Sequence, residues 1–167
     1  MKRSVTDQNR VLQMTDLVSL PLGKAIGGKK TFVIAEIGSN HGNDLQRALD
    51  TIDAVADTGA DAAKFQSLSV NKQWYRPSSD IVSLHHKIDL DESWYETLNN
   101  RCREKGILFF SSPTYLDAVD LLEAVEVPLY KIASAQIGTF PQLVEKVART
   151  NKPVIISTGI VTIQQLD

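Results

Sequence analysis

Charged and hydroxyl side chains recur along this sequence at one kind of position, directly after short apolar runs. Two of these positions hold lysines, Lys64 and Lys131, and another holds a carboxylate, Glu36. Lysine supplies positive charge for an anion, and serine hydroxyls supply directed hydrogen-bond donors. A carboxylate among cations can act as an acid, a base or an acceptor for a hydroxyl group. This combination predicts a site for an anionic substrate that carries a phosphate and a carboxylate.

The prediction depends on five positions being polar together, because each residue alone also fits a structural role. A single lysine or glutamate at a strand end is more often a salt-bridged residue, and a Ser-Thr-Gly sequence can be a simple turn. A lysine among apolar neighbours is costly to bury unless its charge is paired, so each lysine needs a partner or an anionic ligand. The polar set consists of Glu36, Ser39, Asn40 and His41, then Lys64 and Gln66, then Ser111 and Ser112, then Lys131, Ser134 and Gln136, and finally Ser157, Thr158 and Gly159.

The apolar runs predict strands, because they are short, rich in β-branched residues and bounded by turn signals. They alternate with segments whose apolar residues recur every three or four positions, as in amphipathic helices. Strands of this kind joined by helices indicate an α/β fold with a parallel sheet. In such sheets the chemistry gathers at the carboxyl ends of the strands, where the polar set lies. The predicted strands are 31–37, 62–65, 107–110, 127–132 and 154–156.

Helix signals stand between the predicted strands. They comprise capping residues, which bond the free amides of the first turn, and glycines that end a helix. The first helix is bounded by Asn43 or Asp44 as the cap and by Gly59 at its end, and the second carries the apolar stripe Trp94, Leu98 and Cys102 and ends at Gly106. The third and fourth helices each begin with a predicted capping box, Thr114 with Asp117 and Thr139 with Gln142.

The organisation along the chain leaves two architectures open. Residues 1–30 are expected to form a polar lead-in with a short hairpin, and residues 31–167 the α/β domain. A loop is expected over 67–90, with His85 and His86 as a solvated pair rather than a metal site. Five strands suit an open doubly wound sheet and are too few for an eight-stranded barrel of about 250 residues. Thr162 with Gln165 is a helix-start signal just before the sequence stops, so we expect a piece of a longer protein.

Composition narrows the class of protein. Hydrophobic residues make up 43% and charged residues 23%, which excludes disorder. The net charge of −2 argues against a nucleic-acid or anionic-membrane partner. The single cysteine, Cys102, excludes an internal disulfide and a cysteine-cluster metal site, and we expect it in the core. No apolar run approaches the roughly 20 residues of a membrane span, and no signal peptide is recognisable, so we expect a cytoplasmic protein.

Five segments carry a family resemblance, and they appear in the family's order and spacing. They are FVIAEIGSNHG at 32–42, GADAAKFQ at 59–66, GILFFSSP at 106–113, YKIAS at 130–134 and KPVIISTG at 152–159. From about residue 30 to its end, the chain resembles the sialic acid synthases, the N-acetylneuraminate synthase family. Relatives in this family make legionaminic, pseudaminic and spore-coat sugars.

The resemblance implies a (βα)8 TIM-barrel fold, truncated here after about five strands, that is followed in the family by a small antifreeze-like domain. It implies a transferase that condenses phosphoenolpyruvate with an open-chain N-acetylated hexosamine, such as N-acetylmannosamine, to give a nonulosonic acid. A divalent metal, Mn²⁺ or Mg²⁺, polarises the sugar aldehyde; the phosphoenolpyruvate methylene attacks it, water adds, and phosphate leaves with C–O cleavage. Full-length members form domain-swapped homodimers.

The family's site residues map onto the polar set. By matching position, phosphate and carboxylate are expected to bind Lys64, Ser112, Lys131, Ser134 and Ser157. Glu36 is expected to contact the sugar or assist proton transfer, and Asn40, His41 and Gln66 to line the mouth of the site. The family's metal-binding histidines come from later strands and its sugar-contacting arginine from a partner subunit. No metal ligand is therefore expected in this chain.

Two local departures from the family pattern bear on activity. Gln136 stands where the family usually has a carboxylate, and an amide cannot act as a base or carry charge toward a metal. This change predicts either a different sugar or impaired chemistry. The family's STPFD-like segment reads SSPTY at 111–115, so that Ser112 keeps a hydroxyl while Tyr115 removes a charge.

Two alternatives to synthase activity remain open from the residues. A Schiff-base aldolase would use Lys64 or Lys131 as a desolvated amine nucleophile and would need no metal. A half-barrel of five strands would expose unpaired edges, and it would be inactive or depend on a partner piece.

Overall fold

The computed structural model describes residues 17–159, 161, 162 and 164, in which short strands alternate with helices. None of the helices in this part of the chain is long and apolar enough to cross a membrane. The elements are β1 (Val18–Ser19), β2 (Ala25–Ile26), β3 (Ile34–Gly38), α1 (Leu45–Asp57), β4 (Ala62–Ser67), α2 (Val70–Gln73), α3 (Ser79–Ile88), α4 (Tyr95–Glu104), β5 (Leu108–Pro113), α5 (Leu116–Ala124), β6 (Tyr130–Ile132), α6 (Ser134–Thr139), α7 (Pro141–Ala148) and β7 (Val154–Ile156), with 3-10 turns at Pro21–Gly23 and Glu92–Trp94.

β3, β4 and β5 run parallel to one another, β6 and β7 do the same, and the five strands follow one another in space as they do along the chain. β3 pairs with β4 and β4 with β5, β6 lies beside β5, and β6 pairs with β7. A doubly wound sheet reverses its strand order part-way, whereas a barrel adds each strand beside the last. The consecutive order is therefore that of a (βα) barrel, and the α/β class predicted from the sequence is confirmed. Separately, β1 and β2 form an antiparallel hairpin.

The core lies between the central strands and the helices that cover them. Every residue of β5 is buried, and Phe65 of β4 packs on Phe109 of β5 with ring centroids 5.7 Å apart. Cys102 is fully buried, as predicted, and burial raises the pKa of its thiol to about 12, so it stays protonated. The strand predicted at 154–156 is present as β7, but it is less buried than its apolar sequence predicts, since Ile156 is 46% exposed.

Three of the helix boundaries follow from the residues named in the sequence. Asp44 caps α1 by accepting a hydrogen bond from the backbone N–H of Arg47 at 3.0 Å. Gly59 and Gly106 have φ values of +79° and +71° just beyond α1 and α4, a conformation that glycine adopts without strain.

The two predicted capping boxes are wrong. Thr114 does not cap α5; its hydroxyl donates to the carbonyl of Ser67, 2.5 Å away, and thereby ties β5 to β4. Thr139 lies at the end of α6, an unpredicted helix, and its hydroxyl donates to the carbonyl of Ala135. The following helix begins instead with Pro141, whose missing N–H suits a first turn.

The segment 67–90 is more ordered than the predicted loop. It contains α2 and α3, and Ser78 caps α3 by accepting from the backbone N–H of Ile81. The expectation of a solvated histidine pair is wrong for His85, which is only 4% exposed, whereas His86 is exposed.

Replacing Leu122 by alanine tests the core that supports this arrangement. Leu122 is fully buried on α5, and removing a buried leucine side chain destabilises a protein by about 2–5 kcal/mol. Chemical denaturation is expected to show a loss in that range. Leu116→Ala, on the same helix but 38% exposed, is the matched control and is expected to lose less than about 1 kcal/mol. Equal losses would contradict this packing.

Candidate active site

Three neighbouring strands bring an ion pair to the carboxyl end of the sheet. Glu36 of β3 is in register with Lys64 of β4, and the Lys64 Nζ lies 2.5 Å from the Glu36 Oε2. Lys64 also donates to the Ser112 Oγ of β5 at 3.2 Å. The Lys64 side chain is only 10% exposed and that of Glu36 is 47% exposed. The buried ammonium is thus compensated by a carboxylate that remains in contact with water.

The register of β3 is irregular beside Glu36. The register with β4 shifts between Glu36 and Gly38, and bulges of this kind re-aim side chains near functional sites. Gln66 Nε2 donates to the Glu36 Oε1 at 3.2 Å. Gly38 has a φ of +60°, and a Cβ there would lie 3.3 Å from that oxygen. A glycine at 38 therefore leaves room for the Glu36–Gln66 contact.

The second lysine lies on β6 and is held by its neighbours. Lys131 Nζ donates to the Ser157 Oγ at 2.6 Å and to the Ile132 carbonyl at 2.8 Å. Burial lowers the pKa of Lys131, the positive charge of Lys64 lowers it further, and Glu36 partly offsets both. Two ammonium groups that repel each other in this way would both be stabilised by an anion placed between them.

These groups open on one cleft of about 430 Å³. The structure brings together seven of the nine site residues predicted from the sequence. It adds two polar residues that the sequence did not place in the site, Gln73 and Thr114, and it also includes Gln136, which is noted above as a departure from the family pattern. The cleft is lined by Glu36, Lys64, Gln66, Leu68, Gln73, Ser112, Thr114, Lys131, Ala133, Ser134, Ala135, Gln136 and Ser157.

Asn40 and His41, the other two predicted site residues, lie outside the lining of this cleft. Both belong to the turn before α1, where Asn40 is exposed and His41 is fully buried. His41 Nδ1 accepts from the backbone N–H of Asn43 at 3.1 Å, and its ring meets Trp94 edge-on, with centroids 5.8 Å apart. Burial lowers the pKa of His41, which favours the neutral ring. In this arrangement His41 packs beneath the turn.

The two departures from the family pattern occupy different places. Gln136 lines the cleft, and its Oε1 is buried with no hydrogen-bond partner among the described residues. Tyr115 is 3% exposed and donates to the Glu92 Oε1 at 2.9 Å, which ties α5 to the turn before α4. Tyr115 is thus a packing residue, whereas Gln136 presents an unused acceptor to the site.

The residues of this part of the chain do not fit a divalent metal on their own. Across residues 17–159, 161, 162 and 164, no three His, Cys, Asp or Glu side chains cluster closely enough to hold an ion. The one carboxylate of the cleft, Glu36, is already bound to Lys64 and Gln66. Oxygen-rich sites for Mg²⁺ and Mn²⁺ require more ligands than this.

A second cleft, of about 420 Å³, lies at the opposite, amino-terminal end of β4 beside the hairpin. Lys24 there lies 3.0 Å from one carboxylate oxygen of Asp61, whose other oxygen accepts from the backbone N–H of Val33. Lys24 and Asp61 are therefore paired with each other, and they join the hairpin to the sheet. Lys29 and Lys30 line the same cleft.

The comparison with known proteins agrees with this geometry. The NeuB family model matches residues 51–167. The chain belongs to the NeuB family. It is 34% identical over 152 residues to the N,N'-diacetyllegionaminic acid synthase of Campylobacter jejuni, covering 83% of this chain and 45% of that protein. It is also 34% identical over 151 residues to the mouse N-acetylneuraminate-9-phosphate synthase, covering 83% of this chain and 42% of the relative.

Among solved structures, the chain is similar to the N-acetylneuraminic acid synthetase of Leptospira borgpetersenii in complex with citrate. The two share 32% identity and a TM-score of 0.84 over 93% of this chain and 54% of the other. The chain thus spans about half the length of the NeuB relatives that it matches. The likeness confirms both the family resemblance stated above and the TIM-barrel type of the fold.

Proposed function

We propose that the cleft binds phosphoenolpyruvate, and that the whole protein condenses it with an open-chain N-acetylated hexosamine to give a nonulosonic acid and phosphate. The observation that carries the proposal is the pair of lysines, Lys64 and Lys131, that open on one cleft with hydroxyl partners. The names of the NeuB relatives, which are synthases of sugar acids, support the choice of reaction.

Both anionic groups of phosphoenolpyruvate have partners in the cleft. Its phosphate and carboxylate require cations and directed donors, which Lys64 and Lys131 supply together with Ser112, Ser134 and Ser157. Because the lysines are already held by these hydroxyls, the anion would meet donors that need little rearrangement. We assign the carboxylate and phosphate to this cationic side of the cleft.

Glu36 is assigned to the other reactant. Its side chain is half-exposed beside the lysines, so a hydroxyl or carbonyl of the sugar can reach it. In the reaction the methylene carbon of phosphoenolpyruvate forms a bond to the aldehyde carbon, and the aldehyde oxygen gains a proton. Water adds at the former enol carbon, and the C–O bond to phosphate breaks. A carboxylate at this place can accept or deliver one of these protons.

A Schiff-base aldolase is less well supported by the contacts of the lysines. The Lys64 ammonium is ion-paired with Glu36, and an ammonium is not a nucleophile. The lowered pKa of Lys131 favours an amine, but its Nζ is held by the Ile132 carbonyl and by Ser157. In the proposed synthase reaction both lysines act as cations, which agrees with these contacts.

Calorimetric titration of phosphoenolpyruvate into the 167-residue chain tests the binding step. Binding in the micromolar-to-millimolar range, with weaker binding of pyruvate, supports the proposal. No heat from a folded sample, or a pyruvate adduct on either lysine after borohydride reduction, would contradict it. Phosphate release by the whole protein with a panel of N-acetyl hexosamines then tests the condensation and identifies the sugar.

The lowered pKa of Lys131 predicts that phosphoenolpyruvate binding takes up protons at alkaline pH. The bound anion favours the charged lysine and raises its pKa, so above the lowered value the complex holds more protons than the free protein. Affinity is therefore expected to fall as pH rises through that value, by up to about tenfold per pH unit. Titration in buffers of different ionisation enthalpy measures the uptake.

Lys131→Arg is the matched control for this measurement. Arginine keeps its charge over the whole range, so the variant is expected to bind without taking up protons. Proton uptake that persists unchanged in Lys131→Arg would assign it to another group.

A further inference from the structure

The short helix α2 carries a polar side chain to the edge of the cleft. The chain leaves β4 and turns directly into α2, so that Leu68 and Gln73 both line the cleft. Gln73 Oε1 accepts from the backbone N–H of Ser69 at 2.9 Å, which fixes the orientation of the amide. The Gln73 Nε2 then has no partner among the described residues. It is a hydrogen-bond donor beside a cleft whose expected ligand consists largely of acceptors.

A four-residue helix cannot hold this position by itself, and α2 is instead fastened to the end of α3. The backbone N–H of Leu90 donates to the Leu68 carbonyl at 3.1 Å. Asp89 Oδ2 accepts from the backbone N–H of Val70 at 2.9 Å. The third fastening is the indole of Trp74, whose Nε1 donates to the His85 Nε2 at 3.1 Å. Trp74 follows Gln73 directly, so this last contact is the one closest to the cleft residue.

The partners of His85 determine which of its nitrogens carries the proton. An indole N–H can only donate, so the Nε2 facing Trp74 must be the unprotonated acceptor. The Nδ1 lies 2.5 Å from the Asp89 Oδ1 and therefore carries the hydrogen. His85 is 4% exposed, and its neutral Nδ1–H form satisfies both neighbours at once. A buried histidine with both nitrogens bonded in this way locks the groups on either side of it.

We propose that His85 is a positioning residue that, through Trp74, holds Gln73 at the cleft so that its amide donates to the anionic substrate. The proposal rests on the function proposed above for the identity of the ligand. The positioning itself can be measured without any ligand. His85 touches no reacting group and acts only through α2.

Two substitutions at His85 separate its two hydrogen bonds. Glutamine places an amide near the position of Nε2, so His85→Gln keeps an acceptor for Trp74 and loses the donor to Asp89. Asparagine places an amide near Nδ1, so His85→Asn keeps the donor to Asp89 and loses the acceptor for Trp74. His86→Gln, at the exposed neighbour on the same helix, is the control.

Hydrogen exchange of the backbone amides of residues 69–74 in the 167-residue chain measures the position of α2. If the Trp74 contact holds α2, these amides are expected to exchange at least about tenfold faster in His85→Asn than in the original chain. In His85→Gln and His86→Gln their exchange rates are expected to stay near the original ones. Unchanged exchange in His85→Asn would overturn the proposal. Equal acceleration in both His85 variants would also overturn it, because a merely structural histidine predicts that result.

Phosphoenolpyruvate titration supplies the second readout. Gln73→Leu, which removes the amide and its donors, and His85→Asn are each expected to weaken binding by about three- to tenfold. His85→Gln is expected to bind like the original chain. Full affinity in Gln73→Leu would overturn the substrate contact. If the original chain binds no phosphoenolpyruvate, the proposed function fails, while the exchange rates still decide whether His85 holds Gln73 in place.

Discussion

Replacing Lys64 by methionine is expected to weaken phosphoenolpyruvate binding by about 100-fold. Removing one partner of a hydrogen-bonded charge pair at a binding surface costs about 2–5 kcal/mol, and about 1.4 kcal/mol corresponds to a factor of ten. The substitution also leaves the Glu36 carboxylate facing the anion without its counter-ion. Two effects therefore act in the same direction, the loss of an attraction and the appearance of a repulsion. Calorimetric titration of the variant beside the original chain measures their sum.

The loss is expected to be one of binding rather than of folding. Methionine fills nearly the same volume as the stem of Lys64, and Glu36 stays hydrated because its side chain is 47% exposed. The thermal midpoint should therefore change little. Lys146→Met is the matched control, since Lys146 also pairs with a carboxylate, Asp120, at 2.6 Å but lies on α7 away from the cleft. The assignment of Lys64 to the phosphoenolpyruvate site would be contradicted if Lys146→Met bound phosphoenolpyruvate weakly, or if Lys64→Met bound it with full affinity.

Functional residues of parallel sheets gather at the carboxyl ends of the strands, which explains why most of this cleft was predictable from the sequence. Parallel strands that follow one another in space bring their carboxyl ends to one edge, whatever residues intervene. Glu36, Lys64 and Lys131 are far apart in the sequence, yet each lies at such an end, and the structure places them around one cavity. The number of strands alone did not decide between a doubly wound sheet and a barrel, because that distinction depends on the spatial order of the strands.

The residues that the sequence did not place in the site lie on irregular segments. Gln73 is carried by a helix of four residues, which is too short to show a helical period in the sequence. Its position depends on contacts with His85 and Asp89, 12 and 16 residues further along, that no local pattern encodes. His41 shows the opposite case. It follows the carboxyl end of a strand, where functional residues are expected, but the tight turn before α1 packs its ring against Trp94 instead of into the cleft.

The false capping boxes have a related physical origin. A box is a local pattern, and a threonine satisfies its hydroxyl with whichever acceptor lies closest. For Thr114 the closest acceptor is the Ser67 carbonyl on the neighbouring strand. That bond joins the ends of β4 and β5, the two strands that carry Lys64 and Ser112. The sequence thus indicated a helix start where the folded chain uses the same hydroxyl to support the site.

Glu36→Gln is expected to separate binding from chemistry. The carboxylate now competes with an anionic ligand for Lys64, since its Oε2 lies 2.5 Å from the Lys64 Nζ. An amide of the same shape removes that competition, so phosphoenolpyruvate affinity should rise. Because the side chain is half-exposed, water screens the carboxylate, and the rise is expected to be only about two- to tenfold. Turnover by the whole protein should fall by about 10²- to 10⁴-fold, the usual contribution of a positioned acid or base.

The opposite signs of these two effects distinguish a reacting carboxylate from a structural one. A glutamate that only neutralised Lys64 would leave turnover nearly intact once its charge was removed, and one that supported the fold would lower affinity and turnover together. Glu123→Gln is the matched control, because Glu123 also accepts from a lysine, Lys152, at 2.6 Å but lies on α5 outside the cleft. Its loss should lower the thermal midpoint and leave affinity unchanged. Tighter binding with lost turnover in Glu36→Gln alone would therefore place Glu36 at the reacting atoms, because no change in stability or in anion binding produces that combination.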